Sequence, residues 1–238
     1  MTARSATPGK RTLADDAYTE LKSRIMRSEL VPGAKLSIDG LAKQLAFSQT
    51  PIREALARLE SEGLLARRPL SGYTVEPLLS AAEFDDLFEI RMMLEPRAAR
   101  RAAERGLAAD PAAAEADTLL TAARTPDAGA DKLLFTEADA HFHNAVAELS
   151  GSAQLAKAIR RLDAHLHLHR AYIEPESIEE TEVEHLAVAD AIIAEQPLAA
   201  EEAMRRHLER SRIRHRAAFE AARTTEPAPK PKRAKATR

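Results

Sequence analysis

Apolar residues recur every three or four positions along most of this chain, a spacing that puts them on one face of a helix. Before residue 80 this pattern predicts three short helices. The first begins at Leu13 and ends near Ser28. Ser37 and Ser48 are placed to cap the second and the third. Because the second helix ends only just before Ser48, these two helices must cross steeply, as they do in a helix-turn-helix.

Two short segments with a strand-like pattern follow the third helix. Residues 64–67 and 73–75 lie on either side of the sequence Pro-Leu-Ser-Gly at 69–72, which is typical of a turn. The pattern therefore predicts a β-hairpin, or wing. Together with the three helices, the wing completes a predicted winged helix-turn-helix over residues 12–77.

From residue 80 onward the helical spacing continues without a convincing strand. Ser80 and Glu83 have the spacing of a capping box, which predicts the start of a long helix that ends near Gly106. Further helical patterns cover residues 131–150, 153–173, 177–195 and 198–223. We therefore predict a mainly α protein, in which the winged helix-turn-helix precedes an all-α antiparallel helical bundle over residues 80–223.

The composition agrees with a mainly helical chain and excludes some kinds of site. Strong helix formers dominate, and aromatic residues make up only 4%. Residues 1–11 and 224–238 are polar and basic without periodicity, so we predict that both are disordered. The absence of cysteine rules out disulfides and thiolate metal sites. No signal peptide or membrane-spanning stretch is recognisable, so we expect a cytoplasmic protein without a membrane partner.

Charge is distributed unevenly along the chain. The net charge is -2 overall, but it is +3 over residues 1–80 and -10 over residues 81–222. A basic first domain joined to an acidic second one indicates that only the first meets a polyanion such as DNA.

The third predicted helix has the residues expected of a recognition helix. Such a helix presents short polar and arginine side chains from its first turn to the major groove. Serine and threonine hydroxyls can bind phosphates, glutamine and arginine can also reach base edges, and a glycine lets the wing approach DNA closely. The predicted DNA-contacting residues are Ser48, Gln49, Thr50, Arg53, Arg58 and Gly72.

The same segment resembles a known family of regulators. The sequence PGAKLSIDGLAKQLAFSQTPIREALARLESEGLL, followed by a glycine-bearing wing, is similar to the winged helix-turn-helix of the GntR superfamily, and the similarity covers residues 12–77. Gln49 stands where many members have arginine, and Asp39 stands where some have a basic residue. Both departures bear on the operator sequence and not on the fold.

Aspartate and histidine residues in the second domain could bind a metal. Asp139 and His143 are four residues apart, so both project from one face of a helix. His185 and His207 fall on two later helices. Spacing alone leaves ordinary surface or core histidines as the alternative. The closely spaced His165, His167 and His169 spread around a helix and receive no role.

A second resemblance assigns roles to these residues. FDDLFEIRMMLEPRAARRAAER, DAHFHNAVAEL and EHLAVADAIIAEQPLAAEEAMRRHL are similar to the all-helical FCD domain of the FadR branch. Asp139, His143, His185 and His207 fill the positions of the metal ligands in its metal-binding members. Three imidazoles and one carboxylate suit a divalent cation such as Zn, Ni, Mn or Fe. Arg91 stands at an arginine position that the resemblance implies for an effector carboxylate, with an intrahelical pair to Glu95 as the alternative.

The resemblances imply a transcription regulator. We expect a homodimer that binds double-stranded operator DNA, because one recognition helix reads too few base pairs for useful specificity. A small organic acid bound at the metal would control operator affinity, with repression and activation both open. The alternatives are a metal-dependent hydrolase or oxygenase and a regulator for which the metal itself is the signal.

Overall fold

A computed structural model describes residues 11–68, 72–106, 112–124, 132–170 and 175–225. These ranges form helices and one small antiparallel sheet, which confirms the predicted fold class. The two terminal segments predicted to be disordered lie outside the described residues except at their inner ends, and so does most of the turn of the wing. No helix in the described ranges has the length and hydropathy of a membrane span.

The N-terminal segment is a winged helix-turn-helix. Its elements are α1 (Leu13–Met26), β1 (Lys35–Leu36), α2 (Ile38–Leu45), α3 (Gln49–Ser61), β2 (Leu65–Arg68) and β3 (Gly72–Val75). The antiparallel sheet has the order β1-β3-β2. The wing strands agree with the prediction, whereas β1 was not predicted. It has only two residues, too few to show a strand period, and exists through its pairing with β3.

Local hydrogen bonds fix the ends of the helices in this segment. The Ser37 hydroxyl accepts a hydrogen bond from the Gly40 backbone N–H at 3.0 Å, which caps α2 as predicted. Ala46 ends α2 in the left-handed conformation with φ 56°. Ser48 occupies the cap position of α3, but its side chain makes no capping hydrogen bond. The prediction is therefore right about the position of the cap and wrong about the capping hydrogen bond, and Ser48 stays exposed.

Seven helices follow within the described ranges. They are α4 (Ala81–Arg105), α5 (Ala112–Ala123), α6 (Lys132–Leu149), α7 (Ala153–Arg160), α8 (Ala164–His169), α9 (Pro175–Ile193) and α10 (Pro197–Thr225). The capping box at the start of α4 is confirmed, since the Glu83 backbone N–H donates to Ser80 Oγ and the Ser80 N–H donates to Glu83 Oε2. The single helix predicted over 153–173 is wrong. Asp163 adopts φ 44° and breaks it into α7 and the short α8.

The two segments contact each other through α6 and α8. Leu133 of α6 and Leu166 of α8 are buried in the same apolar cluster as the core of the winged helix-turn-helix. Arg170, directly after α8, donates hydrogen bonds to the carbonyls of Glu76 (2.5 Å) and Pro77 (3.4 Å) in the segment between the two domains. The helix that carries the three unassigned histidines therefore touches the DNA-binding segment.

Candidate nucleic-acid interface and metal centre

Helix α3 exposes the residues predicted to contact DNA. Ser48, Gln49, Thr50 and Arg53 are exposed around its first turns, and Arg58 is exposed further along. The opposite face of the helix is fully buried, through residues that include Ile52, Leu56 and Leu59. The apolar stripe that predicted the helix thus anchors it and turns the polar face to solvent.

Gln49 is held between two charged residues. Its amide nitrogen donates to Asp39 Oδ1 at 2.6 Å, and its amide oxygen accepts from Arg53 Nη2 at 3.4 Å. The first turn of α3 is therefore joined to the first turn of α2, where Asp39 lies. This network orients the amide of Gln49, which stands where many GntR members have arginine.

Arg58 and Gly72 have structural roles that the sequence did not reveal. The Arg58 guanidinium donates to Asp15 Oδ1 at 2.8 Å and lies 3.9 Å from the centre of the Tyr18 ring, which joins α3 to α1. Gly72 adopts φ 81°, and a Cβ there would lie 2.8 Å from the carbonyl oxygen of Leu36. Contacts of either residue with DNA stay predictions.

The four residues with predicted metal-ligand roles meet in the helical domain. Asp139 and His143 project from α6, His185 from α9 and His207 from α10, and all four are buried. One ligand atom from each lies within 4.8 Å of the others. The structure therefore brings together three imidazoles and one carboxylate.

Two carboxylates lie against two of the imidazoles, through a hydrogen bond for His207 and through an ion-pair contact without hydrogen-bond geometry for His143. Nδ1 of His143 lies 2.5 Å from Glu95 Oε2, and Nδ1 of His207 lies 2.8 Å from Glu184 Oε2. Because an ionised carboxylate only accepts, each Nδ1 carries the proton and each neutral ring keeps a bare lone pair on Nε2. These two Nε2 atoms are 3.2 Å apart. Two lone pairs at that distance repel each other, and a cation between them removes the conflict.

Two further atoms of the cluster lack ordinary partners. Asp139 Oδ1 and His185 Nε2 are buried and 3.2 Å apart, yet neither has a hydrogen bond of acceptable geometry with any described residue. Asp139 Oδ1 also lies 3.7 Å from His143 Nε2. Buried polar atoms are rarely left in this state in proteins. The donor set, with three imidazole nitrogens and one carboxylate oxygen, fits a borderline divalent cation.

The protonation states of these residues also suit a metal. Burial lowers the pKa of His143 well below its usual value and lowers that of His185 to about 4. Burial alone would raise the pKa of Asp139, but the facing histidines outweigh it and hold that pKa well below its usual range. At neutral pH the imidazoles of His143 and His185 are therefore neutral and the Asp139 carboxylate is ionised, which are the forms that coordinate metals.

Arg91 is engaged with Glu95. Its guanidinium donates from Nε to Glu95 Oε1 at 2.6 Å and from Nη2 to Oε2 at 3.3 Å, and both side chains are buried. The intrahelical pair, weighed above as an alternative, is thus present. A guanidinium has five N–H groups, so this pair does not use all of its donors.

Sequence reasoning missed four groups around the cluster. Glu95 and Glu184 orient the imidazoles of His143 and His207, and nothing in their sequence spacing indicated these partners. His165 and His169 turn toward Asp139, with one nitrogen of each lying 2.6 and 3.3 Å from its Oδ2. The break before α8, which no residue pattern signalled, positions these two histidines.

Comparisons with known proteins agree with this architecture. Residues 86–210 match the FCD domain and residues 13–75 match the bacterial regulatory proteins of the gntR family. The chain belongs to the GntR family. The Nta operon transcriptional regulator of Aminobacter aminovorans is 31% identical over 68% of this chain and 74% of its own. The HTH-type transcriptional repressor GlaR of Escherichia coli is 30% identical over 81% of this chain and 91% of its own.

Among solved structures, this GntR regulator is similar to McbR/YncC of Escherichia coli. The TM-score is 0.62 at 24% identity, over 87% of this chain and 99% of that one. The two relatives compared by sequence are transcription regulators and not enzymes. The chain is therefore a transcriptional regulator with an FCD domain, and the alternative of a hydrolase or oxygenase is not supported.

Proposed function

We propose that this GntR regulator binds a two-fold-related operator as a homodimer and that a small carboxylate metabolite, bound at a divalent cation in the FCD domain, changes its operator affinity. The observation that carries the proposal is the buried cluster of Asp139, His143, His185 and His207, whose ligand atoms lie within 4.8 Å of one another and include two, Asp139 Oδ1 and His185 Nε2, that form no hydrogen bond within the described residues.

The cation is proposed to be held by these four residues. When bound, it would supply a positive centre with open coordination positions for a carboxylate. Glu95 and Glu184 hold the protons of His143 and His207 on Nδ1 and so keep both Nε2 atoms available.

The organic acid is proposed to bind beside this centre. A cavity of about 100 Å³ beside the cluster has room for a small acid or a few waters. The residues that line it include Glu95, Thr136, Asn144 and His165. Arg91 is hydrogen-bonded to Glu95, which lines this cavity, and the remaining N–H groups of Arg91 are the proposed donors to the effector carboxylate.

Helix α8 is the proposed route from the sensor to the DNA-binding segment. His165 and His169 of α8 contact Asp139, whereas Leu166 packs into the core of the winged helix-turn-helix. His167 lies beside Gly63, close enough that a Cβ there would be 3.2 Å from its ring. A ligand that favours one position of α8 would therefore favour one placement of the recognition helix. A ligand that binds two conformations of a protein with different affinities shifts the protein toward one of them, and this shift couples the effector site to the DNA-binding site.

The proposal is tested with an operator selected from random double-stranded DNA. Fluorescence anisotropy then compares operator affinity for metal-stripped protein, for metal-loaded protein, and for metal-loaded protein with small hydroxy-, keto- and sugar acids. We expect one class of acid to change affinity only when the cation is present. A change produced by the cation alone, with no acid effective, would instead favour the pure metal sensor.

Arg53 is expected to read a base. Arg53→Ala should weaken operator binding by about 1–3 kcal/mol and relax the base preference at one position of each half-site. Anisotropy titrations on the operator and on its single-base variants measure both effects. Arg161→Ala, which removes an exposed arginine of the helical domain, is the matched control and should change neither. Unchanged affinity and preference in Arg53→Ala would remove Arg53 from the interface.

Arg170 is expected to transmit the effector signal. Arg170→Met keeps the length of the side chain but removes its hydrogen bonds to the Glu76 and Pro77 carbonyls. Typical coupling between two sites is about 5–150-fold, and we expect the effect of the selected acid on operator affinity to fall to nearly onefold in this variant. Cation content should stay unchanged. Anisotropy with and without the acid measures the coupling.

Arg161→Met is the matched control for Arg170→Met, because Arg161 is an exposed arginine in the segment just before α8. This variant should keep the full effect of the acid on operator affinity. Thermal unfolding shows whether each variant is folded. A full response in folded Arg170→Met would exclude this route.

A further inference from the structure

The carboxylate of Asp139 faces two different sets of histidines. Its Oδ1 is directed at His143 and His185, at 3.7 and 3.2 Å. Its Oδ2 lies 2.6 Å from Nδ1 of His165 and 3.3 Å from Nε2 of His169. All of these side chains are buried. The second set has ligand atoms within 4.8 Å of one another, as the first does.

Hydrogen bonds fix the tautomer of His169. Thr136 Oγ1 donates its proton to the Lys132 carbonyl at 2.7 Å. It must therefore accept from Nδ1 of His169, which lies 3.1 Å away. A neutral His169 then has a bare lone pair on Nε2, and this lone pair faces Asp139 Oδ2. Two electron-rich atoms thus oppose each other, as they do between His143 and His207.

We propose that Asp139 bridges two divalent cations, the first on Oδ1 and the second on Oδ2 with His165 and His169. The second site rests on the proposed function only in sharing Asp139 with the first. Two imidazoles and one carboxylate form a ligand set that binds borderline cations and leaves coordination positions open. Bridged cations in proteins lie about 3.5–4 Å apart.

Hydrogen bonding alone accounts for this arrangement less well. For His165 and His169 merely to donate to Asp139, His169 would need protons on both ring nitrogens, one for Thr136 and one for Asp139. A cation on Oδ2 would remove the repulsion while His169 stays neutral. It would also replace the hydrogen bond between His165 Nδ1 and Asp139 Oδ2, and the proton of His165 would then lie on Nε2. His165 also lines the cavity of about 100 Å³ beside the cluster, so an acid in that cavity would lie next to the second cation.

Metal stoichiometry of the full-length protein tests the proposal. Metal-stripped protein is dialysed against Zn²⁺, and its metal content is measured by elemental analysis. We expect two ions per chain in the wild type and one in the double variant His165→Gln/His169→Gln. Asp139→Asn should retain none. His141→Gln is the matched control, because His141 is an exposed histidine of α6 outside both sets, and it should keep two ions.

A second measurement tests whether the two ions are adjacent. Mn²⁺-loaded wild-type protein should give the electron paramagnetic resonance spectrum of a spin-coupled pair, and the double variant should give that of an isolated ion. Circular dichroism and thermal unfolding of the metal-free variants show that they are folded.

Three outcomes would overturn the second site. They are an unchanged number of ions in the double variant, an Mn²⁺ spectrum that is the same in the wild type and in the double variant, and loss of an ion in His141→Gln. Failure of the first site is distinguishable, because His207→Gln would then leave the metal content of the protein unchanged while His165→Gln/His169→Gln still removed an ion.

Discussion

Glu95→Leu is expected to lower the free energy of unfolding by about 3–5 kcal/mol, because it leaves the Arg91 guanidinium buried without its carboxylate. Arg91 is only 1% exposed, and both oxygens of Glu95 accept hydrogen bonds from it. Unfolding of the metal-free protein in guanidinium chloride measures the change in the free energy of unfolding, since loss of bound metal then makes no contribution.

A pair with the same spacing on the same helix is the control for Glu95→Leu. Arg100 and Glu104 of α4 form a 2.7 Å ion pair, but their side chains are 36% and 39% exposed. Glu104→Leu should therefore cost less than about 1 kcal/mol. The double variant Arg91→Met/Glu95→Leu should recover most of the loss, because no charge is left unpaired. A small effect of Glu95→Leu alone would show that Arg91 finds another partner.

The parts of the fold that follow from near neighbours in sequence were predictable. The capping box of Ser80 and Glu83 needs residues only three positions apart, and the wing needs only a turn between two short apolar segments. Strand β1 exists through its pairing with the distant β3, and the break at Asp163 is a backbone conformation with φ 44° at a residue that is neither glycine nor proline. No period in the sequence carries that information, so both were missed.

The candidate metal centre also has parts that could be predicted from the sequence and parts that could not. Asp139 and His143 follow from helical spacing, whereas His185 and His207 were assigned through the family resemblance. Glu95 on α4 reaches His143 on α6, a contact that exists only once these helices pack together. His165 and His169 are four residues apart on α8, yet the direction of that helix is set by the break before it. Their role therefore became visible only in the structure.

Removal of an inward-facing imidazole is expected to weaken cation binding strongly. Loss of a residue that merely orients a ligand costs about 10–100-fold in metal affinity, so loss of a ligand should cost more than about 100-fold. We expect this for His185→Ala and for His207→Ala. Competition with a chromophoric chelator measures the affinity for Zn²⁺, with each variant made in the His165→Gln/His169→Gln background so that only the first site is measured. His141→Ala should bind as the wild type does, and full affinity in both ligand variants would exclude the proposed ligand set.

Glu184→Gln separates ligation from orientation at the same centre. Glu184 accepts from His207 Nδ1 and from Arg214, and these partners hold the pKa of Glu184 at about 2 against the effect of burial. The glutamine can still accept the Nδ1 proton but no longer polarises the ring with a full negative charge. Zn²⁺ affinity should therefore fall by about 10–100-fold, less than in His207→Ala. An equal loss in both variants would mean that Glu184 itself binds the cation.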